Sequence, residues 1–171
     1  MRIFYSFSIF LFHIFFRLLP FNILRINLLR ILGAKIGKRN FFTRNCRFEF
    51  PWRLEIGNNC YFTDTFLDCR GGTIKIGDNC DISYNSILFT LSHDIKSQNF
   101  KIKKGNIIIK NRVWICARSI VLPNTILSEG SVLSTNSIFK GKMKKNSLYI
   151  GNIAKKVSDL PNHRSKTVRN F

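Results

Sequence analysis

Set in rows of six from Ile109, the chain places Ile109, Ile115, Val121, Leu127, Leu133 and Phe139 in its first column. The fifth column reads Val113, Ser119, Thr125, Ser131 and Ser137. Bulky apolar residues at one phase and small ones at another define a six-residue period. That period predicts a triangular solenoid, with three short strands per coil, each turning a corner and stacking on the coil beneath. The first column points inward. The fifth is small because the chain bends there and the interior narrows. The register recurs upstream in Ile36, Phe42 and Phe48, in Ile56 and Phe62, and in Ile76, Ile82 and Leu88, with Cys46, Cys60, Cys80, Ser86 and Ser92 as the small residues. Ile36, Ile56 and Ile76 are spaced by 20 residues, one coil plus a two-residue excess at a corner, whereas Ile109 and Leu127 are spaced by 18. The expectation is a mainly β chain, a parallel β-helix over about residues 34–140.

The pattern breaks once. After Leu88 the next row should begin at Asp94, yet regular rows resume only at Ile109. The 15-residue insertion DIKSQNFKIKKGNII therefore leaves the wall directly after His93, at the end of LFTLSHDI. Long loops in compact folds tend to carry function, so His93 at the base of this one is a candidate reactive group. The other histidines, His13 and His163, lie outside the repeats and read as incidental. Five cysteines, with no CxxC, give no metal-ligand spacing, and Cys46, Cys60 and Cys80 read as small packing residues in a reducing compartment.

The N-terminal 32 residues follow a different grammar. Residues 3–19 are apolar but broken by His13, Arg17 and Pro20, and they are short for a spanning helix, which needs about 20 residues. On a helical wheel Arg2, Ser6, His13 and Arg17 fall within about 60° of one another. After Pro20 a second segment distributes Asn22, Arg25, Asn27 and Arg30 over a wider arc and stops at Gly33. Two amphipathic helices with cationic polar faces read as an interfacial membrane anchor over residues 1–32. Packing on the main domain or on a partner subunit, and true spanning, are the alternatives. The net charge of +19 points the same way, to an anionic surface. Lys and Arg are scattered, and no helix-turn-helix, zinc-finger or RNA-binding signature occurs, which disfavours nucleic acid. The repeats fill residues 33–157, and residues 158–171 form a basic tail.

Three stretches carry a resemblance: GDNCDISYNSILFTLSHD (77–94), IIIKNRVWICARSIVLPNTILSEGSVLSTNSIF (107–139) and YIGNIAKKV (149–157). In order and pattern they resemble the hexapeptide-repeat acyltransferases, most closely the bacterial sugar O-acetyltransferases of the colanic acid and galactoside acetyltransferase group. The resemblance implies a left-handed parallel β-helix, a homotrimer, and acetyl-CoA lying between neighbouring subunits as a donor substrate rather than a tightly bound cofactor. It implies that His93 is the general base that takes the proton of an acceptor hydroxyl as it attacks the thioester; histidine, with a reference pKa of about 6.5, suits that task. Asp94 is too close along the chain to orient its neighbour's ring, so an acid from another coil or subunit is expected to do so. Asp68, and less directly Asp64 and Asn85, fall near where that family holds its acceptor. Trp114, Cys116, Ala117, Ser134, Lys155 and Lys156 match positions that meet coenzyme A.

Some of those positions depart from the family pattern. Cys116 stands where the usual W-I-G-A corner has glycine, and its side chain would narrow the pantetheine channel. Ile153 replaces proline in the closing G-N-P-A-K, and Ser134-Thr135-Asn136-Ser137 replaces G-A-G-S. The resemblance implies an O-acetyltransferase acting on a sugar hydroxyl in cell-surface polysaccharide, capsule or lipopolysaccharide synthesis, peripheral on the inner face of a bacterial cytoplasmic membrane. A non-catalytic β-helix scaffold at the membrane, and an acetyltransferase for serine or an amino-sugar nitrogen, stay open beside it. A γ-class carbonic anhydrase would need three metal-binding histidines, and the repeats hold one. No metal site is expected.

Overall fold

Strands of successive coils pair in parallel, one sheet for each face of a triangular stack. The first face runs through Lys35–Ile36, Leu54–Ile56, Ile74–Ile76, Ile107–Ile109 and Thr125–Leu127. The second runs from Phe41–Phe42 through Tyr61–Phe62, Asp81–Ile82, Trp114–Ile115 and Val132–Leu133 to Ser147–Ile150. The third comprises Arg47–Glu49, Phe66–Asp68, Ile87–Phe89, Ile120–Val121 and Ile138–Phe139. Bridges from Ile126 to Lys142 and from Ile138 to Asn152 carry the stack into a further partial coil. The fold is thus mainly β, a parallel solenoid of about six turns with two helices at its N-terminus. The computed structural model describes residues 2–94 and 96–159, with side chains from Ser8 onward. The expectations for Arg2 and Ser6 in the polar stripe, for His163 and for the tail beyond residue 159 lie outside what it describes.

Register follows the sixfold period. Ile36, Ile56, Ile76, Ile109 and Leu127 are successive partners on the first face, and Phe42, Phe62, Ile82, Ile115 and Leu133 on the second. All are buried, as are Phe48, Leu88, Val121 and Phe139 on the third. One coil is a residue short. Leu67, five residues after Phe62 rather than six, pairs with Phe48 and Leu88 in the inward column, and Thr65 takes the small corner position. The shortened row keeps Asp68 out of the apolar column, where a strict period would have placed a carboxylate. Corners bend through left-handed residues, among them Asn59, Asn79 and Arg112 at one edge and Asn85, Arg118 and Asn136 at another. Asparagine tolerates that conformation better than most residues. All five cysteines are buried. Cys60 donates to the carbonyl of Gly77 and Cys80 to that of Lys110, each on the next coil.

A coil with no coil beneath it has unpaired backbone groups, which cost free energy unless satisfied. Helices α1 (Arg2–Leu18) and α2 (Asn22–Ile31) satisfy them. The amide of Phe42 donates to Asn22 Oδ1, and Asn22 Nδ2 donates to the carbonyl of Asn40. Arg25 Nε donates to Phe42 O at 3.2 Å and Nη1 to Leu19 O at 2.7 Å. Arg30 donates to the carbonyls of Ile36 and Gly37. The amide of Phe48 donates to His13 Nε2 at 3.1 Å, while Phe16, fully buried beside it, packs edge-on against the Phe48 ring. These contacts correct two expectations. Arg25 and Arg30 face the solenoid and not lipid phosphates, because carbonyls of the open edge are the stronger claim on a guanidinium. His13 is not incidental: it closes the edge of the first coil.

Burial holds the His13 ring below its ordinary pKa of 6.5, and the Arg47 and Arg17 charges act in the same sense. A ring nitrogen that accepts an amide proton also favours the neutral form. The unfolded chain therefore binds more protons than the fold as pH drops below that value, so stability is intact above it and declines beneath it. The urea midpoint is expected to fall between about pH 7.5 and about pH 5. In His13→Gln, whose amide oxygen can still accept from Phe48, this part of the decline should vanish; an unchanged profile would place the titrating group elsewhere.

Candidate active site

The wall gives way earlier than the period suggests. Thr90, fully buried, turns the corner after Ile87–Phe89, and Leu91–His93 then pairs antiparallel with Ile102–Lys104. The excursion thus includes His93 on its outgoing strand rather than beginning after it. Ser92, expected in the small buried column, stands half-buried on this hairpin. Thr90 clasps the base: its N–H and Oγ1 both donate to the carbonyl of Asp68, its Oγ1 accepts from the amide of Gly71, and its carbonyl accepts from Gly105.

His93 is exposed, and its Nδ1 lies 2.7 Å from the carbonyl oxygen of Phe100. A carbonyl can only accept, so Nδ1 carries the proton and Nε2 is left as an acceptor. The orienting partner expected from another coil or subunit is therefore supplied by the backbone of the hairpin's own loop. Phe100 has a left-handed backbone (φ 45°), which aims its carbonyl at the ring. Asp94 does not orient His93. Its carboxylate pairs with Lys103 at 3.0 Å and accepts from the amide of Lys96, and these two contacts hold its pKa below the usual carboxylate value.

Asp68 occupies the same corner one coil below. Its carboxylate is buried and gripped by Arg70, with Nη2 to Oδ2 at 2.7 Å and Nε shared between both oxygens. The outward group at this position is thus the half-exposed Arg70 guanidinium, which no sequence pattern marked. Next to it burial pushes the Cys69 thiol up to about 12, so this cysteine is no nucleophile. Asp64 is engaged elsewhere: it accepts from Thr43 and Asn45 and acts as a clip between two corners.

The remaining candidates gather on the second face and the corner after it. Trp114 is exposed, with its ring pinned by a 2.9 Å bond from Nε1 to Ser83 Oγ. Cys116 and Ala117 follow at the corner, and Ser134 lies one coil above; the amide of Asn136 donates to Ala117 O, and Ser119 Oγ to Ser134 O. Cys116 is buried, so its side chain does not project into an open channel. Asn85 belongs here too, one coil below Arg118, and not beside His93. Lys155 and Lys156 are exposed on Lys155–Asp159, a strand that pairs antiparallel with Ser147–Ile150 and extends the second face past residue 157. Ile153 has a φ of 63°, which proline cannot adopt, so the closing turn differs in shape from a G-N-P-A-K turn. The chain therefore holds two groups of candidates, His93 with Asp68 at one corner and the coenzyme A positions at another, with the third face between them. Among the described residues no group of three or more His, Cys, Asp or Glu could hold a metal ion.

Known proteins share this arrangement of coils. The chain is 33% identical over 111 residues to an Escherichia coli (strain K12) protein named as a colanic acid biosynthesis acetyltransferase, WcaF, a match covering 64% of this chain and 61% of that one. The fold superposes with a TM-score of 0.80 on a hexapeptide-repeat-containing acetyltransferase from Vibrio cholerae complexed with acetyl coenzyme A, at 21% identity, covering 88% of this chain and 84% of the other. A galactoside acetyltransferase in complex with coenzyme A matches with a TM-score of 0.78 and 22% identity, covering 88% and 78%. No family model matches the chain. By sequence the chain is similar to WcaF, and by fold it matches the hexapeptide-repeat acetyltransferases, a left-handed β-helix. It spans about three fifths of the length of the curated relative.

The clasp at Thr90 is open to test. Thr90→Val removes a buried hydroxyl and leaves the Gly71 amide without its acceptor, which should lower unfolding stability by about 1–3 kcal/mol. Amide exchange over residues 91–104 should quicken more than over the first face. Equal exchange in variant and wild type would show that the hairpin is held by its own strand pairing alone.

Proposed function

We propose that this chain is an acetyl-CoA-dependent O-acetyltransferase that acts on a sugar hydroxyl, with His93 as general base. The observation that carries the reading is the bond from His93 Nδ1–H to Phe100 O, which fixes the tautomer and leaves Nε2 free at an exposed edge. Nε2 takes the hydroxyl proton as the oxygen attacks the thioester carbonyl. The tetrahedral intermediate collapses, the carbon–sulfur bond breaks, and the departing thiolate recovers the proton from the imidazolium. Backbone amides at a coil edge would stabilise the oxyanion. In this reading transfer is direct, in keeping with the burial of all five thiols, which pushes that of Cys69 up to about 12.

The separation of the two candidate groups supports a closed homotrimer, in which the His93 corner of one subunit meets the second face of the next. Trp114, Ala117 and Ser134 would then line the coenzyme A arm, with Cys116 behind them and Lys155 and Lys156 near its phosphates. Asp68 would act through Arg70, and Asn85 from the neighbouring corner, on the acceptor. The relative named for colanic acid biosynthesis supports an acceptor in polysaccharide synthesis; a place on the inner face of the cytoplasmic membrane belongs to the same proposal.

His93→Ala should keep the fold and the trimer but lower acetyl transfer roughly 10²–10⁴-fold. His93→Asn should do nearly as badly, since an amide cannot take up the proton. The assay is a mass-resolved screen of glycan and nucleotide-sugar acceptors with acetyl-CoA. Wild-type transfer by the alanine variant would make the histidine structural, and product formed only on an amino sugar would move the activity to nitrogen. Light scattering of the active protein should give three chains; an active monomer would remove the shared cleft.

A further inference from the structure

The helical cap is amphipathic in the opposite sense to the one its sequence suggests. His13 and Phe16 on α1, and Arg25, Ile26 and Leu29 on α2, turn toward the first coil. The outer arcs are apolar except for Asn27 on α2. Phe10, Phe15 and Leu18 are 57%, 55% and 72% exposed on α1, and Ile23 and Ile31 are 56% and 82% exposed on α2, with Phe21 between the helices at 67%. On a wheel at 100° per residue, the exposed apolar residues of α1 fill an arc of about 140° opposite Phe16, and those of α2 about 100° opposite Leu29. Soluble surfaces rarely expose large apolar side chains so densely, and a face of this kind marks an interaction site.

We propose that this outer face of the cap docks the protein on an anionic phospholipid surface, with both helices lying in the plane of the interface. Charge around the face selects that occupant. Residues 1–53 contain ten Lys and Arg and one acid, Glu49. Arg17, Lys38, Arg39 and Arg44 are exposed on α1 and on two corners of the first coil, and Trp52, 52% exposed, stands at the third. An apolar face bordered by cations, with tryptophan at its edge, matches the layering of acyl chains and anionic headgroups. Against a second copy of the same face, those cations would repel. Neither helix crosses: no helix among the described residues is long and apolar enough to span a membrane, and α1 measures about 25 Å against a hydrocarbon core of about 30 Å. Affinity then comes from inserted Phe, Leu and Ile with exposed cations around them, while Arg25 and Arg30 remain on the solenoid. The coil axis stands away from the membrane. The strand Ile87–Phe89 from which the His93 hairpin departs lies two coils above Arg47–Glu49, or about 10 Å at the usual strand spacing. The placement deepens the function proposed above, because it brings that base close to headgroup height.

The experiment is flotation of the full chain with vesicles of phosphatidylcholine alone and of phosphatidylcholine with phosphatidylglycerol. Transfer to a soluble sugar acceptor and light scattering are measured on the same preparations. Wild type should float with the anionic vesicles and less as salt rises. Leu18→Asp with Phe21→Asp should weaken flotation roughly tenfold or more while leaving the solenoid folded and transfer unchanged. Arg39→Glu with Arg44→Glu should weaken it on anionic vesicles only. Flotation equal in the double-aspartate variant and wild type, or absent in both, overturns the docking. So does a wild-type assembly larger than a trimer that the aspartates dissolve and vesicles do not capture, since the face then pairs copies of this chain. Transfer without flotation sinks the docking alone; flotation without transfer sinks the proposed activity alone.

Discussion

A parallel coil satisfies its backbone only through the coils above and below it, so a stack of such coils depends on what closes its ends. The interior of this stack is uniform, a column of Ile, Leu, Val and Phe with small residues at the bends. The first coil has no neighbour on one side, and side chains from two helices take the neighbour's place there. Asn22, Arg25, Arg30 and His13 meet the carbonyls and amides of Ile36, Gly37, Asn40, Phe42 and Phe48. At the other end Lys155–Asp159 folds back antiparallel on Ser147–Ile150 and covers the last strand of the second face. With those polar side chains turned to the β edge, large apolar residues dominate the outward face of the cap, beside Arg17 and Asn27. The chemistry of the protein's lower surface is thus a consequence of closing a β edge.

The same geometry arranges the candidate site. Three faces per coil keep residues at different corners apart however near they lie in sequence. His93 follows Asn85 by eight residues, yet the strand Ile87–Phe89 separates their corners. Residues one coil apart in sequence are brought together instead, as when Thr90 bonds to Asp68, 22 residues away, and to Gly71, 19 away. The hairpin is then a local structure on a rigid base. Its loop carbonyl sets the ring of His93, and its own lysine occupies Asp94, so no distant acid has to reach the imidazole.

From the sequence alone the period was legible, and with it the inward column, the parallel register and the presence of one interruption in the wall, though not its first residue. These follow from a local rule: a coil that must bury one side of every strand repeats its apolar residue at fixed spacing. His93 was legible as a candidate for the same reason, since it lies in the stretch where that rule fails. The one-residue deletion before Leu67 was not, since only pairing with Phe48 and Leu88 reveals which residue turns inward. Nor was the partner of His93, because a backbone carbonyl seven residues away has no side-chain signature. The direction of the helices' polar faces depended wholly on tertiary structure. A helical wheel shows that a cationic stripe exists but not what it faces; an unpaired sheet edge, assembled from residues 36 to 48, decided that Arg25 and Arg30 reach its carbonyls, that Phe16 packs on Phe48, and that Phe10, Phe15 and Phe21 face out.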